Sequence, residues 1–85
     1  MYIVLSDYSV NGIYRRKTAA RRLMDELRRV INYREWPELA PRVVEGANYE
    51  EFAAQGLHYK ELESIWFWLD RSRPVWGRVV LRAGG

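Results

Sequence analysis

Three pairs of arginines lie in the first half of the chain, and their spacing suits contact with phosphate groups. The pairs are Arg15-Arg16, Arg21-Arg22 and Arg28-Arg29. On a helix this spacing brings Arg15, Arg22 and Arg29 into one stripe, because seven residues are close to two turns. Guanidinium groups in such a stripe are typical of surfaces that contact the phosphates of a nucleic acid.

Two acidic residues in the same segment allow a simpler interpretation of these arginines. Asp25 and Glu26 lie three or four residues from members of the second and third pairs. The stripe could therefore be an ion-paired, solvated helix face, or a contact surface for an acidic protein. Arg15, Arg16 and Lys17 precede both acids and are the first candidates for contact with an anion.

Residues 65–69, Ile-Trp-Phe-Trp-Leu, are the second unusual feature of the chain. Five consecutive large apolar side chains on a helix point in all directions, so one small core cannot cover them all. The side chains expected to face the core are those of Leu62, Ile65, Trp66 and Leu69. Phe67 and Trp68 are then expected near the surface.

Exposed aromatic side chains can anchor a protein interface, where each often contributes about 2 kcal/mol or more, or they can stack on bases. We predict that Phe67, Trp68 and Trp36 are such anchors. Alternatively, residues 48–55 or the loop around Trp36 fold over Phe67 and Trp68 as a satellite cluster. The arginines expected to orient the encounter with a partner are Arg15, Arg16, Arg22 and Arg29.

The residue types that catalysis and metal binding need are scarce. The chain has no cysteine and one histidine, His58, which could form half of a metal site with Glu61. It has no phosphate-binding loop, dinucleotide fingerprint or nucleophile with a neighbouring base. A non-enzymatic protein without metal or cofactor is therefore predicted.

Length and composition predict one globular domain over residues 1–85. Hydrophobic residues make up 48% and charged residues 29% of the chain, which differs from the composition of disordered proteins. No apolar stretch approaches the roughly 20 residues that span a bilayer, and no signal peptide opens the chain. A cytoplasmic protein without membrane contact is the expectation.

The net charge of +3 is distributed unevenly along the chain. Residues 15–34 contain seven arginines and one lysine against two acids, a net charge of +6. Residues 35–63 contain seven glutamates against one arginine and one lysine, a net charge of −5. Such a chain can present a basic face to one partner and an acidic face to another.

Hydrophobic periodicity and turn signals predict the secondary structure. Asn11-Gly12 between apolar residues predicts a hairpin turn, and Thr18 and Asn48 predict helix caps. The predicted elements are strands near 2–8 and 12–16, a helix over 19–34, a strand over 42–45, a brief helix over 48–55, a helix over 57–71 and a strand over 75–82.

The order of the main elements, β-β-α-β-α-β, predicts an α+β fold. Helices are expected to pack on one face of a small mixed or antiparallel sheet. Ferredoxin-like and β-grasp topologies are both compatible with this order, and the strand order stays open.

The segment Val79–Gly85, Val-Val-Leu-Arg-Ala-Gly-Gly, resembles the end of ubiquitin-like proteins and sulfur carriers, which finish in a free Gly-Gly after a β-grasp strand. The opening hairpin and the helix after it are also similar to that fold. The resemblance implies that the carboxylate of Gly85 is adenylated and transferred, because Gly84 and Gly85 lack side chains and can enter a narrow activating site. The helix over 57–71 departs from the family pattern.

A fainter resemblance is to the small ferredoxin-like subunit of CRISPR adaptation complexes. It depends on a first strand that ends in Asp7, an arginine-rich helix over 15–30 and a strand that ends at Gly46. The hairpin signal at Asn11-Gly12 departs from that pattern.

The predicted function is that of a small binding protein that occupies a surface on a larger protein or nucleoprotein complex. Inhibitors encoded by phages and mobile elements, anti-CRISPR proteins among them, have this compact, cofactor-free and charge-asymmetric character, which is an analogy only. The simplest variant of this function is a homodimer that uses Phe67 and Trp68. The alternatives are a ubiquitin-like modifier or sulfur carrier, and a nucleic-acid-binding protein that uses the arginine-rich helix.

Overall fold

The computed structural model describes residues 1–71, with side chains through Leu69. Its elements are β1 (Tyr2–Ser6), β2 (Ser9–Tyr14), α1 (Lys17–Val30), a 3-10 turn (Pro37–Leu39), β3 (Arg42–Glu45), α2 (Tyr49–Ala53) and α3 (Tyr59–Arg71). The strands form an antiparallel sheet in the order β2-β1-β3. A small α+β fold is thus confirmed, whereas the strand predicted over 75–82 lies outside the described residues.

Helices cover both sides of this sheet. Ile3 and Leu5 of β1 belong to a core cluster on the side of α2 and α3 that includes Ile65. Val4, which points the other way, packs with Ala20 of α1. The prediction that the helices share one face is therefore wrong. The ferredoxin-like and β-grasp topologies, which the order of elements allowed, include the strand predicted over 75–82, so the described residues do not test them.

The sequence of β1 explains the two helical layers. Ile3, Val4 and Leu5 are consecutive, and each has 0% of its surface exposed. A strand with one wet face alternates between apolar and polar residues, whereas a strand that is buried on both faces is apolar throughout. The apolar run of β1 is therefore that of a central strand between two layers.

The hairpin turn lies at Asp7-Tyr8 and not at Asn11-Gly12. Asp7 and Tyr8 have φ angles of 52° and 60°, the positive values that a two-residue type I′ turn requires. Asn11 is instead the extra residue of a β-bulge in β2, where the register against β1 shifts. The bulge increases the local twist of the strand and brings Gly12 beneath α1.

Gly12 lies where a side chain has no room. A Cβ atom at this position would lie 2.6 Å from Cε2 of Tyr14 and 2.9 Å from Cδ2 of Leu23. We expect Gly12→Ala to lower the free energy of unfolding by about 1–3 kcal/mol, the usual cost of overpacking a core. Urea denaturation measures this change, and a variant as stable as the wild type would contradict the packing of α1 over β2.

Helix α1 is shorter than its periodicity predicts. It follows Arg16 at the N-cap without a side-chain cap, and it ends at Val30 rather than near Arg34. Beyond it, Oδ1 of Asn32 accepts a hydrogen bond from the backbone N–H of Glu35 at 3.4 Å. Such local bonds compete with helical ones, and they favour a turn at this point.

After β3, the sequence predicts a brief helix that Asn48 caps, and the structure confirms this helix start. Oδ1 of Asn48 accepts the backbone N–H of Glu51 at 3.0 Å and caps α2. This short helix brings Phe52 into the core, where its side chain is fully buried. Phe52 therefore fixes α2 on the same side of the sheet as α3.

Helix length also bears on contact with membranes. Helix α1 has 14 residues and α3 has 13, whereas a bilayer span needs roughly 20 apolar residues. Over residues 1–71, no helix is long and apolar enough to cross a membrane.

Candidate functional site

Helix α3 is attached to both edge strands of the sheet. Near its start, Glu61 forms an ion pair with Arg42 of β3, with 2.7 Å between Nη1 and Oε2 and 2.8 Å between Nη2 and Oε1. One turn later, the hydroxyl of Ser64 accepts the backbone N–H of Val10 in β2 at 2.9 Å. Ile65, on the same side of the helix, is fully buried. These contacts determine which face of α3 points outward.

His58 and Glu61 form hydrogen bonds at the start of this helix. Nδ1 of His58 accepts the backbone N–H of Lys60 at 3.1 Å, and Oε1 of Glu61 accepts the backbone N–H of His58 at 2.9 Å. With His58 at the N-cap, the first bond caps the N–H at the second helical position, and the second bond returns from the third position as in a capping box. Helix initiation therefore accounts for the pair that the sequence offered as half of a metal site.

Two opposing influences act on the carboxyl group of Glu61. Burial alone would raise its pKa, whereas the hydrogen bonds from Arg42 and His58 and the positive charge of Arg42 lower it. The lowering is the larger effect, so the pKa of Glu61 lies below its ordinary value. The ionised carboxylate therefore stabilises the attachment of α3 to β3.

This lowered pKa predicts a loss of stability in acid. A carboxyl group with a lowered pKa in the folded state stabilises the protein above its unfolded pKa of about 4.3, and the contribution is lost as the pH falls through the folded value. We expect Glu61→Gln to weaken this pH dependence of the free energy of unfolding, measured by urea denaturation at a series of acidic pH values.

Glu63→Gln is the matched control, because Glu63 is an exposed glutamate on the same helix. It should keep the pH dependence of the wild type. Equal pH dependence in wild type and Glu61→Gln would show that the carboxylate of Glu61 does not hold α3 in place.

The outer face of α3 carries three large aromatic side chains. Tyr59 is 63% exposed, Trp66 56% and Phe67 46%. Tyr59 and Trp66 are seven residues apart, so they point within about 20° of the same direction. Tyr49 of α2 packs edge-on against Trp66, with 5.1 Å between the ring centres. We call Tyr49, Tyr59, Trp66 and Phe67 the aromatic face.

A groove of about 530 Å³ lies beside the aromatic face, and Asp7, Tyr8 and Phe67 are among the residues that line it. The ring of Tyr8 packs against His58, with 4.5 Å between the ring centres. Nζ of Lys60 lies 5.4 Å from the centre of the same ring. The groove therefore connects the hairpin turn with the outer side of α3.

The structure reverses the predicted placements of Trp66 and Trp68. Trp66 is exposed, whereas Trp68 is half-buried and packs against the core cluster. Measured from Ile65 around the helix, Trp68 lies about 60° away and Trp66 about 100° away. Glu61 also points inward, to Arg42. The buried side of α3 therefore lies nearer to Trp68 than to Trp66. A glutamate is not counted as buried in a hydrophobic pattern, which explains the error.

Sequence reasoning also missed the role of two tyrosines. Helical spacing puts Tyr59 on the same side of α3 as Trp66, and this side faces outward. Tyr49 has no signal in the sequence, since its position against Trp66 depends on how α2 packs on α3.

Helix α1 has a basic outer face on the other side of the sheet. Its exposed charged residues are Lys17, Arg21, Arg22, Asp25, Glu26, Arg28 and Arg29. Among the residues whose side chains are described, none of these arginines lies within ion-pairing distance of a carboxylate. The helix therefore presents an excess of positive charge.

The predicted site residues divide between the two sides of the sheet. Arg22 and Arg29 lie on α1, whereas Phe67 and Trp68 lie on α3. The sheet separates the basic face from the aromatic face. The sequence placed both sets at one interface, but a flat partner surface cannot contact both at once.

The other predicted site residues lie outside the helices. Arg15 and Arg16 precede α1, so the stripe predicted for Arg15, Arg22 and Arg29 contains only the last two. Trp36 is 56% exposed and lies in the connection between α1 and β3. Gly84 and Gly85, which the modifier alternative needs, lie outside the described residues.

Comparison of the chain with protein-family models, with curated proteins and with solved structures finds no match. A functional conclusion therefore depends on the geometry of the aromatic face, the basic face and the connection that contains Trp36.

Proposed function

We propose that this chain is a non-enzymatic binding protein that docks its aromatic face onto the surface of a larger protein. The observation that carries the proposal is the side chain of Trp66, which is 56% exposed and packs against Tyr49 of α2. Tryptophan and tyrosine are enriched among the residues that dominate binding energy at interfaces.

The support of α3 favours this role. Glu61 attaches the helix to Arg42, and Ser64 attaches it to Val10, so the aromatic face is held by two separate strands. A surface that is ordered before binding loses less conformational entropy when the partner arrives. The aromatic face is thus suited to specific docking.

Clustering distinguishes the aromatic face from ordinary exposed apolar residues. Val30 is 79% exposed on α1, where its neighbours on the outer face are charged. Single exposed apolar residues are normal, whereas contiguous patches mark interaction sites. Tyr59, Trp66 and Phe67 are instead three exposed aromatic residues of one helix.

The charges around the aromatic face indicate the chemistry of the partner. Among the side chains that the structure describes on α2 and α3, Glu50, Glu51 and Glu63 are exposed, against Lys60. Complementary potentials steer partners and fix their register. The partner surface should therefore have an apolar pocket for Trp66 with arginine or lysine at its rim. Blocking such a surface is the corresponding mode of action, by analogy with phage-encoded inhibitors of the anti-CRISPR type.

Site-specific photo-crosslinking tests the proposal. A photoreactive phenylalanine that replaces Trp66 should give one discrete adduct with a larger protein in the cells that produce the chain. The same group at Thr18, which is exposed on α1, should give none. Equal adducts from both positions, or an adduct of two copies of this chain, would contradict the proposal.

A further inference from the structure

We infer that the C-terminal end of α1 and the turn after it form a binding site for single-stranded nucleic acid. This site is separate from the aromatic face, and it does not depend on the proposed function. It combines positive charge with two aromatic residues, the exposed Trp36 and the half-buried Tyr33, and charge and aromatic rings are the features that bind single strands.

The site is a groove of about 340 Å³ that residues 28–34 line. Arg28 and Arg29 come from the last turn of α1, and Arg34 comes from the turn that follows. All three side chains are exposed. Three arginines therefore line one groove, and guanidinium groups bind phosphate through several hydrogen bonds at once.

Ion pairs do not hold these arginines within the part of the chain whose side chains are described. Among the residues with described side chains, no carboxylate lies within ion-pairing distance of Arg28, Arg29 or Arg34. Asp25 and Glu26, one turn before the groove, reduce the local charge, but residues 15–36 together contain eight basic residues against three acids, a net charge of +5. Arginine in the last turn also complements the helix dipole, but this effect does not account for Arg34, which lies beyond the helix.

Two aromatic residues accompany the arginines. Tyr33 lines the groove and is half-buried. Trp36 is 56% exposed, and its backbone N–H donates to the carbonyl of Asn32, a lining residue, at 3.3 Å. Within residues 1–69, no other ring packs against the indole of Trp36, in contrast to Trp66.

The combination favours a single strand over the alternatives. The bases of a single strand are free to stack on Trp36 and Tyr33 while its phosphates contact the arginines. In a duplex the bases stack on one another, so the rings would have no role. An acidic protein would use the arginines but would not need exposed rings beside them.

Fluorescence anisotropy with a labelled single-stranded oligothymidine tests the inference on the full chain. With three phosphate contacts, a plot of log affinity against log salt concentration should have a slope of about −2. We expect Arg34→Gln to make this slope shallower by about 0.7. Trp36→Ala should weaken binding by about 5-fold or more, because base stacking on one ring contributes at least about 1 kcal/mol.

Two control variants separate this site from general electrostatics. Arg21→Gln removes an exposed arginine of α1 that does not line the groove, and Trp66→Ala removes an equally exposed indole on the other side of the sheet. Both should leave the affinity for the oligonucleotide within about 2-fold, since neither residue contributes to the stacking or the local charge of the groove.

Several outcomes would overturn the inference. They are an absence of salt-dependent binding, equal affinity for a duplex of the same length, equal affinity for polyglutamate, or a loss in Arg21→Gln as large as in Arg34→Gln. Binding of polyglutamate would indicate an acidic protein partner instead. None of these results bears on the crosslink from position 66, so failure here and failure of the proposed function are distinguishable.

Discussion

Trp66→Ala should lower the affinity for the protein partner by about 30-fold or more, because a central aromatic residue of an interface often contributes at least about 2 kcal/mol. The side chain lies on the outer face of α3 and touches Tyr49 at its edge. Its loss should therefore leave the free energy of unfolding within about 1 kcal/mol of the wild type, as for other substitutions near the surface. Isothermal titration calorimetry measures the affinity, and urea denaturation measures the stability.

Trp36→Ala is the matched control for this prediction. Trp36 and Trp66 are the same residue type with the same exposed fraction, 56%, but they lie on different surfaces. Trp36→Ala should keep the affinity for the protein partner, whereas it weakens binding of the oligonucleotide. If Trp36→Ala and Trp66→Ala reduce the protein affinity equally, the aromatic face is not the principal contact.

Phe52→Ala is expected to cause the largest loss of stability, about 3–5 kcal/mol, through the cavity that a deleted phenylalanine leaves. The ring is 0% exposed, and it packs so closely beneath Gly46 that a Cβ atom there would lie 3.0 Å from its Cζ. Phe52 also holds α2, which carries Tyr49 to Trp66. Phe52→Ala should therefore disturb the contact between Tyr49 and Trp66 as well as lower the stability of the fold.

Phe52→Leu is the control for this second prediction. It keeps most of the apolar volume and should cost less than about 1.5 kcal/mol. Both variants are compared by urea denaturation followed by circular dichroism. A cost for Phe52→Ala as small as that for Phe52→Leu would mean that α2 is not packed on the sheet through this side chain.

The sheet and its helices could be predicted in part because their signals are local. The Asn48 cap and the apolar run of β1 are properties of neighbouring residues. The helices were not expected on both faces of the sheet, because the apolar run of Ile3, Val4 and Leu5 was interpreted only as evidence for a strand. The turn was misplaced because Asp7-Tyr8 has no glycine, whereas Asn11-Gly12 has the usual turn composition.

The candidate sites could be predicted less well because they depend on packing between elements. The outward direction of Trp66 follows from the ion pair between Glu61 and Arg42, which joins residues 19 apart in the sequence. The groove at the end of α1 exists because the helix ends at Val30. Neither fact has a signal in the hydrophobic periodicity.

The uneven distribution of charge along the chain corresponds to two separate faces of the structure. The basic residues of α1 lie on one side of the sheet, and the glutamates of α2 and α3 accompany the aromatic face on the other. The two proposed contacts, with a nucleic acid and with a protein, would therefore lie on opposite sides of the sheet. Removal of one activity should leave the other intact.

The indole N–H signals of Trp66 and Trp36 in a nitrogen-proton correlation spectrum provide the most direct test of the central claim. The chain is titrated with the protein that crosslinks to position 66, and each signal is assigned by substitution. We expect the Trp66 signal to shift or broaden at stoichiometric partner while the Trp36 signal stays unchanged. A shift of Trp36 with an unchanged Trp66 would contradict docking through the aromatic face.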